Sequence, residues 1–173
     1  MKSLGLLSKT FLFTSILLGS LWIGGYLFRL VVFYQLFEAE EFALRSFLNN
    51  QNLPGIFIVL RSAVAMTLIL FPLFILSYIS FLVSSKINLK QNGWLFIITI
   101  LIFITLPFEI YLMTIDYDII FKINYSSFST DDVISLVIKR FKILSSFPII
   151  ELICYFSVIY LMIFQPLKIK TAE

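Results

Sequence analysis

Four stretches of this chain, about 10–37, 56–83, 94–115 and 144–164, are almost wholly apolar and long enough to cross a bilayer. A hydrocarbon core about 30 Å thick needs about 20 apolar residues in a helix. Lipid offers backbone amides no partner, so each run must close its hydrogen bonds within itself. The sequence therefore predicts an all-α membrane protein: an antiparallel four-helix transmembrane bundle, with residues 1–173 forming a single integral membrane domain. Composition agrees. A soluble domain is about 25% charged; here 13% of residues are charged, 60% are hydrophobic, and the mean hydropathy is +1.01.

The first run opens like a secretory signal, with Lys2 and Lys9 ahead of apolar residues. It continues well past the about 7–15 residues of a signal core. No cysteine follows Leu18-Gly19-Ser20, as a lipoprotein would need, so an uncleaved span is expected. Pro54 and Gly55 punctuate the start of the second run. The short link from Ser84 to Gly93 makes spans two and three antiparallel neighbours. Pro72, Pro107 and Pro148 are expected to kink three spans. Trp94 and Tyr117 stand at the ends of span three, where aromatic side chains anchor at head groups. In span one, Ser15-x-x-x-Gly19 and Ser20-x-x-x-Gly24, with Gly25, form small-xxx-small patterns that let helices approach closely.

Two shorter segments carry amphipathic patterns, about 38–48 and 130–143. In the first, Glu41 and Arg45 are spaced as an i,i+4 pair, with Phe42, Phe47 and Leu48 as apolar contacts. In the second, Ser129 reads as an N-cap, followed by Asp131 and Asp132 in the first turn. Ile134, Val137, Ile138, Phe141 and Leu144 then share one face, opposite Asp132, Ser135, Lys139, Lys142 and Ser146. Such a helix suits a membrane interface. Each half thus reads span, amphipathic segment, span, the layout of an internal duplication.

The sharpest feature is one ionisable residue in each span: Arg29, Arg61, Glu109 and Glu151. Counted from the face opposite the termini, all four fall roughly 8–12 Å below the interface at 1.5 Å per residue. Intramembrane charges usually turn inward and pair. The expectation is a buried layer of Arg–Glu pairs that fixes which helices are neighbours. Snorkelling of the arginines and a polar ligand or transport site are the competing readings.

Little points to catalysis. There is no histidine, and Cys154 is the one cysteine. There is no phosphate-binding loop, zinc-protease motif, C-x-x-C or G-x-S-x-G. No catalytic residue, metal site or cofactor is predicted. Asp116-Tyr117-Asp118 is read as a solvated loop edge rather than a cation site. An enzyme acting on lipid would have Asp116, Asp118, Asp131 and Asp132 as its interfacial acids and is the least favoured reading. The net charge of +3 does not indicate nucleic acid, because basic residues flank apolar runs instead of forming a stripe.

The expected partners are the lipid bilayer and other subunits, in a homo- or hetero-oligomer. Six lysines lie on the side of the termini (Lys2, Lys9, Lys86, Lys90, Lys168, Lys170), against five loop cations opposite (Arg45, Lys122, Lys139, Arg140, Lys142). The positive-inside rule then leans to both termini cytoplasmic.

Trp22-Ile23-Gly24-Gly25, followed by an amphipathic stretch before span two, resembles a family of small four-span membrane proteins that includes the transmembrane-protein-205-like proteins. Arg140-Phe141-Lys142-Ile143-Leu144-Ser145 is similar to that family's lead-in to its last helix, where the family often has a histidine and this chain has none. The resemblance implies a compact four-helix membrane domain with no assigned activity. Two functions fit these features: a structural, accessory or assembly subunit, or an oligomeric transporter or channel component using the charge layer as a polar site.

Overall fold

The structure is a computed structural model and describes residues 4–38, 42–123 and 127–167. Its helices are α1 (Leu6–Tyr34), α2 (Leu53–Ser85), α3 (Gly93–Ile123), α4 (Thr130–Ile143) and α5 (Phe147–Phe164). All but α4 are long and apolar enough to cross a membrane, which makes this a multi-pass membrane protein by length and composition.

Local chemistry sets the helix ends. Pro54 lies in the first turn of α2, where its missing N–H removes no helix bond. Lys86 ends that helix in the left-handed region, at φ 51°. Pro148 likewise falls in the first turn of α5, so it starts the helix where the sequence suggested an internal kink. Only Pro72 and Pro107 lie inside spans. Helix α3 runs on past Ile115 to Ile123, because the helical period of its buried face continues through Leu112, Ile115, Asp116, Ile119 and Ile123. The carboxylate at position 116 interrupts the apolar run without ending the helix.

The spans pack in the order α1, α2, α3, α5, and α4 lies against α3. Helix α1 approaches α2 closely at two glycines. A Cβ on Gly19 would stand 3.1 Å from the Phe74 ring, and one on Gly25 would stand 3.3 Å from Thr67 Cγ2. Ser15 is buried as well. Gly24 has nothing within 4 Å and Ser20 is exposed, so this second pair does not serve α1–α2 packing.

Two apolar clusters divide the interior. Near the termini, Trp22, Phe71, Phe74, Tyr78, Ile98 and Tyr155 pack together. Trp94 is buried in this cluster, whereas Tyr117 is exposed. At the opposite end, Phe33, Phe57, Ile119, Val133, Val137 and Phe141 form the second cluster. Here α4 covers the bundle. Ser129 caps it, accepting from the Asp132 amide at 3.4 Å. Its buried residues are Val133, Val137, Arg140 and Phe141. Ile134 and Ile138, expected on the apolar face, are half-buried, while Val133 and Arg140 are buried, so the helix is rotated to turn Arg140 inward.

The described part of 38–48 is not a helix. Phe37 and Leu44 form an antiparallel bridge, with Glu38 N donating to Ala43 O at 2.8 Å and Arg45 N to Leu36 O at 3.1 Å. Arg45 Nε donates to Phe37 O at 3.2 Å. Glu41 lies outside the described residues, and with it the expected Glu41–Arg45 pair. Bending the chain here puts Phe37 and Leu48 into the cluster under α4, which an interfacial helix would not do. The two halves of the chain are therefore built differently.

Overpacking a close helix contact costs typically 1–3 kcal/mol. Gly19→Ile and Gly25→Val should each lower stability by about that much in detergent melts. Gly24→Val should stay within about 0.5 kcal/mol of the parent. Equal losses at all three positions would contradict the α1–α2 register.

A candidate functional site: the buried charge cluster beneath the fourth helix

Between the two apolar clusters, Asp116 of α3 accepts from two guanidinium groups. Arg29 Nη1 of α1 donates to Asp116 Oδ2 at 2.7 Å, and Arg140 Nε of α4 donates to Asp116 Oδ1 at 2.7 Å. Arg29 Nη1 also donates to Thr67 Oγ1 of α2 at 2.9 Å. The Thr67 hydroxyl in turn donates to its own helix at Val64 O, 3.0 Å away. One carboxylate thus links α1, α3 and α4, and a threonine brings in α2. Asp116 is 1% exposed, Arg29 2% and Arg140 6%, so water screens none of these pairs effectively.

Tyr26 stands between the two arginines. Its ring centroid is 5.5 Å from Arg29 Cζ and 5.8 Å from Arg140 Cζ. A ring face at this range attracts a cation and supplies an apolar wall. At Arg140, burial disfavours the charged form, but the negative charges of Asp116 and Glu109 outweigh it and hold the guanidinium above its ordinary pKa. It is locked as a cation.

Glu109 and Glu151 lie within the electrostatic reach of these groups. Glu109 feels Arg140, Arg29 and Asp116; Glu151 feels Glu109 first, then both arginines. Both glutamates are buried. The Tyr26 hydroxyl faces Glu151 without closing a hydrogen bond. Both Glu151 oxygens, Glu109 Oε2, and the hydroxyls of Tyr26 and Tyr155 have no partner among the described residues. With every group ionised, two cations would face three anions.

Of the four residues singled out from the sequence, Arg29, Glu109 and Glu151 come together in this cluster. Arg61 does not: it is partly buried, and no hydrogen bond or ion pair of its own is found among the described residues. The expected Arg–Glu pairs are replaced by an Arg29–Asp116–Arg140 bridge. Asp116 looked like a loop edge because it ends the apolar run, and Arg140 looked like a loop cation. Spacing carried the missing signal. Glu109, Leu112 and Asp116 recur at i, i+3, i+7, and Val133, Val137 and Arg140 at i, i+4, i+7, each set on one helical face.

Space at this level is small. A cavity bounded by Tyr26, Arg29, Phe33, Val137, Arg140 and Phe141 measures about 10 Å³, at the lower limit for one water. Among the described residues, no three His, Cys, Asp or Glu side chains are placed to hold a metal ion. No family model, curated protein or solved structure gives a significant match to the chain.

Removing one partner of a buried ion pair costs about 3–5 kcal/mol. Asp116→Asn, which strands two arginines, should lose at least that much. Arg140→Gln should cost less, since Arg29 and Asp116 remain paired. Glu151→Gln removes a charge with no partner and should cost under about 1 kcal/mol. Unfolding in a mild detergent measures all three; a Glu151→Gln loss matching that of Asp116→Asn would contradict this ordering.

Proposed function

We propose that this is a non-enzymatic integral membrane protein, a structural, accessory or assembly subunit whose buried charges fix its own architecture. The observation that carries the reading is the double engagement of Asp116, with one carboxylate oxygen on each arginine at 2.7 Å. A carboxylate so occupied has little capacity left for substrate. The cavity lined by its two arginine partners holds about one small molecule of solvent size. The cluster joins α4 to the spans and presents α4's polar face outward, with Asp131, Lys139 and Lys142 exposed. That face is the natural contact for another subunit or for head groups.

One observation favours a second reading, an oligomeric transporter or channel component. Glu109 and Glu151 are buried with unpartnered oxygens. Buried intramembrane acids of this kind occur in proton and ion pathways. The purified protein in liposomes separates the two readings. As a structural subunit it should give no proton or cation flux above protein-free vesicles. A flux abolished by Glu151→Gln, in a variant that melts like the parent, would instead establish transport.

Orientation belongs to the same proposal. Burial removes Arg140 from the loop cations, leaving Arg45, Lys122, Lys139 and Lys142 against the six lysines on the side of the termini. The positive-inside rule then favours cytoplasmic termini more strongly than the sequence count did. A C-terminal reporter active only in the cytoplasm should be on; a silent one, with a periplasmic or external reporter active at the same position, would reverse the assignment.

A further inference from the structure

A second cavity lies in the half of the bundle nearer the termini, away from the charges. It measures about 180 Å³ and is walled by all four spans, among them Gly19, Phe74, Trp94, Ile98, Tyr155 and Met162. It is larger than the engineered cavity of about 150 Å³ that takes up benzene. Its lining is overwhelmingly apolar, and water makes too few hydrogen bonds in such a space to stay.

The packing order explains why it exists. Helix α1 packs on α2, α2 on α3, and α3 on α5, but the backbones of α1 and α5 stay apart, and the two helices meet through Trp22 and Tyr155 at the cavity's inner end. The ring of spans is left unsealed along one seam, and Leu12, Ile16, Val158 and Ile159 line the cavity from the two sides of it. Because the seam runs between spanning helices, the medium outside it is hydrocarbon. The cavity also reaches the interface: Trp94 sits at the start of α3 and Gln165 directly follows α5, and both are lining residues. From Gln165 inward to Tyr155 is about 15 Å at 1.5 Å per residue. The inner end is closed by Tyr155, whose ring lies tilted at 57° to that of Trp22, with centroids 4.8 Å apart. The buried Trp94 indole N–H, at the outer end, has no acceptor among the described residues.

We propose that this cavity is a binding site for one long hydrocarbon chain, entering through the α1–α5 seam. Its tail lies against Phe74, Ile98 and Tyr155, and its ester or hydroxyl oxygen sits at the level of Trp94 and Gln165. A membrane-lipid acyl chain and an isoprenoid chain share this chemistry.

The test uses the full chain in phosphatidylcholine vesicles doped with a phospholipid carrying a diazirine near the end of one acyl chain. A parallel set carries a diazirine-bearing prenol. After photolysis, labelled residues are mapped by mass spectrometry. Expected is labelling at Ile98 and Met162 several-fold above that at Leu76 and Ile153, which face outward. Ile98→Trp and Met162→Trp, filling the site from opposite walls, should each suppress the cavity labelling and spare Leu76 and Ile153. The arm with the stronger cavity labelling names the chain type. Three results would overturn the proposal: no preference for the cavity in either arm, labelling that survives both tryptophan variants, or cross-links joining α1 and α5 of one copy to another copy, which would mean that protein closes the seam.

Discussion

Asp116 between Arg29 and Arg140 is the interaction on which the arrangement of this protein depends. The three residues come from three different helices, and Thr67 adds a fourth. An isolated charge in a membrane interior costs roughly 2.5–3.5 kcal/mol even on mild scales. A helix bearing one has few acceptable neighbours. Here the need is mutual: each arginine requires the carboxylate, and the carboxylate is best satisfied by both arginines. That restricts the rotation of α1, α3 and α4 more tightly than apolar packing can.

Net stability need not come from the charges. A buried ion pair is often no more stabilising than well-packed apolar residues of the same volume. Val133, Val137 and Phe141, buried with Phe33, Phe57 and Ile119, add apolar contact to the seat of α4 on the bundle. Burial of such side chains contributes about 1.5–3 kcal/mol each where water would otherwise reach them. The charges select one pose among those the apolar face would accept. Turning Arg140 inward accounts for the helix being rotated away from its most hydrophobic stripe. The same geometry leaves Glu109 and Glu151 in the field of the arginines without direct bonds to them, so the cluster has a structural side and a less constrained side.

The spans and their order could be read from the chain, because hydrophobic length and the bilayer's thickness leave almost no alternative to helices. Helix α4 was legible through Ser129, Asp131 and Asp132 at its start. The charge cluster was legible in part. Arg29, Glu109 and Glu151 stood out against apolar surroundings, but depth counting could not show that Arg61 faces elsewhere, since depth says nothing about rotation around the helix axis. Asp116 and Arg140 were hidden for the opposite reason. Each sits where polar residues are common, beyond the apparent end of a span or on an amphipathic helix, and only the tertiary contact makes it buried. The bend at 42–48 was missed because a few residues with apolar and charged neighbours fit a helix and an extended turn equally well.

Cysteine accessibility of α4 tests the central claim most directly. With Cys154 replaced by Ala, a single cysteine at Val137 is placed in the parent and in Asp116→Asn, and its reaction with a water-soluble maleimide is followed in intact membranes. A cysteine at Ile98, in the other cluster, serves as control. If Asp116 holds α4 on the bundle, position 137 is protected in the parent and reacts readily in the variant, while position 98 stays protected in both. Equal protection of position 137 with and without the carboxylate would show that α4 is held by apolar packing alone.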